Sequence, residues 1–438
     1  MEKRILIIGI DGGTWRILRP LIEEGIMPNL GTIVKSGAAG ILRSTIPPVT
    51  APAWTSFMTG VSPARHGIFE FNNYNGKYKT YFVNNTSIKY KLLWEILSDF
   101  GKRVISLNVP MTYPPFPLNG VLVTGMLTPG TDVIFTFPPA LSKEVLEKIK
   151  GYRITTTGRV YFVSGLNKFI EELNLTIKKR VELGKYLLNK ENWDIAMVHF
   201  QSSDIFQHFA YHCISAEHPY FDKACREKAI EVYKTLDIAL GELLSTAEKK
   251  GKLITILLSD HGFRPVYKKV LINTLLYKLG YLVLKDYSFP RKMISNCTGL
   301  IKKIDVLKLH QWFLGKRTRK KLKETVSLSN IDFSKTKAFV INGGVYGNIF
   351  INLKGREPYG IIEESAYASL RSEIKEKLEE EQDPETGKKY MKVITKEEAY
   401  GDTDYLGAPD LIVIPDDGYT ISPSMFIDKT PIKKARVR

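Results

Sequence analysis

Long apolar runs are missing from this sequence. No stretch approaches the ~18 consecutive apolar residues that a membrane-spanning helix needs. The N-terminal run, Ile5 to Ile10, stops at Asp11 and is too short for the core of a signal peptide. Cysteine is scarce as well. Cys213, Cys225 and Cys297 are an odd number without metal-ligand spacing, so a reducing, cytoplasmic compartment is expected for a soluble chain. Internal repeats and low-complexity tracts are absent. Acidic residues are in the minority, 46 Asp and Glu against 63 Lys and Arg, for a net charge of +17. That excess suits an anionic partner such as a phosphate ester, nucleic acid or a lipid surface. Much of it falls in "GLIKKIDVLKLHQWFLGKRTRKKLKE" (299–324). No nucleic-acid motif accompanies this stretch, so it reads as a solvated, partly amphipathic surface; nucleic acid stays open as a partner without being indicated.

What remains is the composition of an ordinary globular protein, 44% hydrophobic and 11% aromatic. A chain of 438 residues holds one large domain with insertions, or two to three domains. "RILIIGI" (4–10) is a short, wholly apolar run ending in Asp-Gly-Gly, the pattern of a buried parallel strand that delivers a carboxylate to its C-terminal end. Similar runs recur at 104–110, 193–200, 253–258, 348–353 and 409–415, with helical patterns such as 89–102 and 225–251 between several of them. The alternation predicts an α/β sandwich around a mostly parallel sheet, with ligands at the carboxyl ends of the strands. Residues 1–263 and 341–438 are assigned to this core. A Pro/Thr-rich insertion is expected at about 111–165, and 264–340 is read as a basic inserted cap.

Three segments bring chemistry to those strand ends. "SDHG" places Asp260 and His261 after an apolar run, and Gly262 allows the bend that would turn both toward one ion. In "SSDIFQHF", Asp204 and His208 are four apart and share a face if the segment is helical. Asp with His at that spacing is a common way to hold a divalent transition metal, although a capping Asp and a surface His would read the same. Asp11 in "GIDGG" is followed by two glycines that permit close backbone approach. Together Asp11, Asp204, His208, Asp260 and His261 form a mixed oxygen and nitrogen set. Five ligands point to two ions, the arrangement that clamps both oxygens of a phosphoryl transfer. Such a site needs a nucleophile, and Thr50 in "PVTAPAW" is either a turn residue between prolines or a hydroxyl held out for that chemistry.

The segments "GIDGGTW", "MPNLGTIVKSG", "STIPPVTAPAWTSFMTGVSPARHGI", "SDIFQH" and "LLSDHGF" resemble the type I phosphodiesterase/nucleotide pyrophosphatase branch of the alkaline phosphatase superfamily. The similarity is nearest to archaeal and bacterial members of unassigned substrate. It covers residues 1–262, and "GNIFINLKGREP" with "APDLIVIPDDGY" extends it to about 419. It implies an alkaline-phosphatase-like three-layer α/β/α sandwich with inserted cap segments. It further implies that Asp11, Thr50, Asp260 and His261 hold one metal, and that Asp204 and His208 supply two ligands of the other. The metals implied are zinc, with manganese as the alternative. Thr50 would attack phosphorus in a small anionic phosphoester, giving a phospho- or nucleotidyl-threonine that water then hydrolyses. Asn108 in "LNVP" is a candidate phosphate contact, its alternative being an ordinary turn asparagine. His66 in "PARHG" is assigned to structure, and Trp54 and Phe57 to packing.

The chain departs from the family in one respect. The family closes its second metal site with a histidine near the C-terminus, whereas the last of the seven histidines here is His310, so that site is expected to be incomplete in this chain. Three readings follow: a phosphodiesterase or nucleotide pyrophosphatase, a phosphomonoesterase or phosphotransferase of the same superfamily, or a catalytically silent binding protein that retains the fold.

Overall fold

The computed structural model describes residues 3–285, 328–401, 407–425 and 430–435. The basic stretch 299–324 lies outside the described residues.

Six strands form the central sheet: β1 (Arg4–Ile10), β2 (Val104–Leu107), β3 (Gly120–Val123), β4 (Thr136–Phe137), β5 (Ile195–Phe200) and β6 (Leu253–Leu258). Their order is β4-β3-β2-β5-β1-β6, and every neighbouring pair is parallel except β3 with β4. Alternation along β1 decides which layer each side chain enters. Leu6, Ile8 and Ile10 pack with Leu173, Ile177, Leu236, Leu240 and Leu243, which come from helices α2 (Arg159–Lys190) and α4 (Lys223–Glu248). Ile7 faces the other way and packs with Ala51, Trp54 and Met58 of helix α1 (Thr50–Thr59). Both faces of the sheet are therefore covered, as a continuous apolar run requires.

The Pro/Thr-rich stretch 111–165, expected as an insertion, supplies β3 and β4 at the edge of this sheet. Strands of four and two residues are too short to show a period, and the prolines around them mask the pattern. The runs at 348–353 and 409–415 also differ from expectation. They do form strands, Gly347–Ile351 and Leu411–Pro415, but these pair antiparallel with each other in a separate four-stranded sheet. That sheet has its own core, including Phe339, Ile349, Ile374 and Val413. An apolar run tells that a strand is buried on both faces, not which sheet it joins.

Helix α3 (Ser202–Ile214) follows β5 and kinks at Ala210. Its Cys213 is joined by a disulfide to Cys225 of α4. Cysteine usage therefore no longer argues for a reducing compartment. Among the described residues, no helix is long and apolar enough to cross a membrane.

Candidate active site

The adjacent strands β5, β1 and β6, the last of them at the sheet edge, end side by side, and each is followed within a few residues by an aspartate. Asp11 leaves β1 directly, Asp204 sits in the first turn of α3, and Asp260 comes two residues after β6. All three are buried. Gly12 makes the geometry: it has φ +65°, and a Cβ there would lie 3.1 Å from the Cα of Asp204. The turn is laced to its neighbours. Gly12 N–H donates to Asp260 Oδ1 at 3.2 Å, Gly13 N–H to Ser259 Oγ at 2.8 Å, and Ser203 Oγ to the Asp11 carbonyl at 2.7 Å.

Thr50 is the first residue of α1. Val49 precedes it as a cap without a side-chain hydrogen bond, so the Thr50 hydroxyl is not used to close the helix. Its Oγ1 lies 3.2 Å from His261 Nε2 and 3.5 Å from Asp11 Oδ1. His261 Nε2 is in turn 3.6 Å from Asp11 Oδ1 and 3.2 Å from Asp260 Oδ2. On the adjacent α3, His208 Nε2 lies 3.3 Å from Asp204 Oδ1, one turn apart on one face. Ligand atoms of Asp11, Asp204 and His261 all lie within 4.8 Å of one another.

Electrostatics show why this cluster suits a cation. Burial, with the nearby charges of Asp260 and Asp204, pushes the Asp11 carboxyl well above its ordinary range. Burial raises Asp260 too, with the Asp204 charge adding to it against the opposing pull of His261. Burial works the same way on Asp204, but His208 and His261 outweigh it and hold that carboxyl below its usual value. Asp204 Oδ1 and Asp260 Oδ2 are buried and meet only imidazole nitrogens, His208 Nε2 at 3.3 Å and His261 Nε2 at 3.2 Å. Three buried carboxylates beside two imidazoles form a mixed oxygen and nitrogen set that fits a divalent metal.

Two groups at the site were not found from the sequence. His199 Nε2 lies 3.1 Å from Asp11 Oδ2, and Trp54 Nε1 donates to the same oxygen at 3.3 Å. When a bound cation keeps Asp11 ionised, the carboxylate only accepts and the His199 nitrogen facing it donates. The two rings meet edge-on, with centroids 4.8 Å apart. Gly9 admits both, because a Cβ there would lie 2.7 Å from Trp54 Cη2 and 3.0 Å from His199 Cδ2. The signal was present as a histidine at the end of an otherwise apolar strand, in register with a glycine on β1.

Asn108 behaves differently from the others. Its side chain donates to the Thr124 carbonyl at 2.9 Å, accepts from Tyr152 Oη at 2.8 Å, and is buried in a left-handed turn with φ 57°. The oxygen and one N–H of the amide are used as in an ordinary turn asparagine, and the second N–H is the one group left over. His66 is a fixed neutral ring: Ile68 N–H donates to Nδ1, so the proton sits on Nε2, and burial lowers its pKa to about 3.

Between this edge and the C-terminal sheets lies a cavity of ≈ 640 Å³, lined by Thr50, His208 and His261 and by Phe71, Phe263, Tyr346 and Tyr419. Arg16 and Arg264 also line it, and both reach Asp417, at 3.0 and 2.8 Å.

Comparison with known proteins places the chain. The profile of the family described as type I phosphodiesterase / nucleotide pyrophosphatase matches residues 5–428. The chain belongs to that family. Phosphonoacetate hydrolase from Sinorhizobium meliloti 1021, in complexes with phosphonoformate and phosphonoacetate, superposes with TM-scores of 0.54 and 0.55 at 15% and 14% identity. In both cases 96% of this chain and 82% of the other are covered. Human ectonucleotide pyrophosphatase / phosphodiesterase 5 gives a TM-score of 0.49 at 12% identity, over 98% of this chain and 83% of its own. Curated protein sequences give no match. The fold is thus the alkaline-phosphatase-like α/β sandwich, and membership of the family supports phosphoester hydrolysis as the class of activity.

Proposed function

We propose that this protein is a metal-dependent phosphoester hydrolase of the phosphodiesterase/nucleotide pyrophosphatase type, with Thr50 as nucleophile. The observation that carries the reading is the Thr50 hydroxyl, free of capping duty, within 3.5 Å of both His261 and Asp11 in a cluster of three buried aspartates. Asp11, Thr50, Asp260 and His261 would hold one divalent ion, and Asp204 with His208 a second, zinc or manganese. When bound, such ions lower the pKa of an attacking oxygen and neutralise charge on the phosphoryl group.

The chain's own groups do the rest. The Thr50 oxygen forms a bond to phosphorus while the bond to the leaving alcohol breaks with its electron pair. The Thr50 and Ala51 N–H groups at the head of α1 face the phosphoryl oxygens. A water oxygen then bonds to phosphorus and Thr50 leaves.

Diesters are favoured over monoesters by the cavity wall. Phe71, Phe263 and Tyr346 offer apolar surface for the second ester group, and Arg16 and Arg264, which share the single carboxylate of Asp417, leave a net positive charge for the phosphate. The test compares hydrolysis of p-nitrophenyl phosphate, bis-p-nitrophenyl phosphate and p-nitrophenyl-thymidine monophosphate with zinc or manganese, for wild type and Thr50→Ala. Equal rates in the two proteins would sink the nucleophile assignment. Faster turnover of the monoester would shift the reading to a phosphomonoesterase. No turnover by wild type, with about one metal per chain, would support the silent alternative.

A further inference from the structure

The far end of α3, away from Asp204 and His208, gathers a second set of metal-ligating side chains. Ligand atoms of His212, Cys213 and Cys225 lie within 4.8 Å of one another, although 11 residues separate the two cysteines in sequence. The fold brings them together: the kink at Ala210 turns the last residues of α3 toward the first turn of α4, where Cys225 sits.

His212 is the informative residue. Its Nε2 faces Cys213 Sγ at 3.4 Å, and its Nδ1 is buried without any hydrogen-bond partner. An imidazole whose nearest polar neighbour is sulfur is poorly satisfied as a hydrogen-bonding group. It is well placed as a ligand, however. Zn–S and Zn–N bonds of about 2.3 and 2.0–2.1 Å at a tetrahedral angle set sulfur and nitrogen roughly 3.5 Å apart. His218 is nearby but its Nδ1 already accepts from Tyr220 N–H at 3.2 Å, so it is left out of the set.

We infer that Cys213, Cys225 and His212 form a redox-gated site for a soft divalent cation, zinc by ligand chemistry. In the oxidised chain the two sulfurs are bonded to each other and the site is closed. A low-molecular-weight thiol opens it by exchange: the Sγ–Sγ bond breaks, the two protein sulfurs take up two electrons and two protons, and the reductant departs as its own disulfide. Zinc then replaces the two thiol protons, which pass to solvent, and His212 supplies the third ligand with water completing the tetrahedron. The ends of α3 and α4 are tied together in either state. The helix that presents Asp204 and His208 therefore keeps its anchor whether its surroundings are oxidising or reducing.

Cobalt substitution tests this separately from the catalytic site, which contains no sulfur. The full chain, reduced with a thiol and freed of it under nitrogen, is titrated with Co²⁺. We expect a thiolate-to-cobalt charge-transfer absorption that saturates at a single cobalt per chain. It should be absent from the oxidised chain and from Cys225→Ser, and unchanged in Cys297→Ser. His212→Gln, which leaves both thiols in place, should weaken cobalt binding by more than the roughly 10–100-fold that loss of a supporting hydrogen bond costs at a metal site. Cys225→Ser is preferred to a change at fully buried Cys213, and its circular dichroism should match that of the reduced wild type. Absence of the band in the reduced wild type overturns the proposal. So does a band that survives Cys225→Ser, one that disappears with Cys297→Ser, or undiminished affinity in His212→Gln.

Discussion

Helix α1 carries a hydroxyl–imidazole pair near each end, and the two pairs have different fates. At its head, Thr50 Oγ1 lies 3.2 Å from His261 Nε2; further along, Ser56 Oγ lies 2.9 Å from His66 Nε2. By distance alone the second is the better dyad. Its imidazole, however, accepts from Ile68 N–H at Nδ1, which leaves the proton on Nε2 pointing at Ser56. Such a ring donates to the serine and cannot take its proton. Among the described residues no carboxylate is hydrogen-bonded to His66, and burial holds it neutral. The Thr50 pair instead sits among three buried aspartates. On the proposed reading, reactivity follows the charge and tautomer around a pair rather than its length.

The largest expected effect attacks the first pair. Thr50→Ala should lower kcat with bis-p-nitrophenyl phosphate by at least about 10³-fold, because a nucleophile is removed rather than a positioning group. Thermal unfolding of this variant should stay near wild type. A variant that kept a tenth of the activity would place the two pairs on the same footing.

His199 comes next, since it supports Asp11 and has no counterpart at the Ser56 end. His199→Phe keeps the ring edge against Trp54 but removes the nitrogen that meets Asp11 Oδ2. We expect a 10–100-fold loss of zinc affinity by calorimetry, on the order seen when a ligand's supporting hydrogen bond is lost, with a matching fall in kcat. His199→Gln, which can place an N–H on the same oxygen, should recover much of both. Equal losses in the two variants would reduce His199 to a packing residue.

His66 predicts a pH effect on stability instead of activity. Its pKa is about 3 in the fold against an ordinary 6.5, so between these values the unfolded chain binds the extra proton. Stability from this residue is complete above pH 6.5 and is lost progressively toward pH 3, with an upper bound of about 5 kcal/mol. The slope of melting temperature against pH between 4 and 7 should be shallower in His66→Gln than in wild type. An unchanged slope would show that His66 is not held neutral.

Much of the site was legible because strand ends and glycines leave local marks. "RILIIGIDGG" and "LITILLSDHG" each announce a buried strand that stops at a carboxylate, and that is where Asp11 and Asp260 stand. His199 was hidden because its role depends on register: only the pairing of β5 with β1 sets it opposite Gly9 and beside Asp11. Asn108 was readable only as a choice between a phosphate contact and a turn asparagine. It does lie at a strand end, but tertiary partners Thr124 and Tyr152 take the oxygen and one N–H of its amide. Sheet membership was invisible for 348–353, where a buried apolar run is the same string in a parallel or an antiparallel sheet. The cysteines showed no ligand spacing because a helix kink, not sequence distance, brings Cys213 to Cys225.

The smallest expected effect completes the comparison at α1. Ser56→Ala removes the hydroxyl that accepts from His66 Nε2 and leaves a buried N–H without that partner. One such bond is worth roughly 0.5–1.5 kcal/mol, and an orphaned buried donor about 1–3 kcal/mol. A drop of that size in unfolding free energy is expected from denaturant titration. Because His66 then has no proton to give or take in the reaction, kcat should stay within about twofold of wild type. A larger fall in kcat at unchanged KM, with the protein still folded, would move chemistry to the Ser56 end of the helix. It would also remove the contrast between the two pairs.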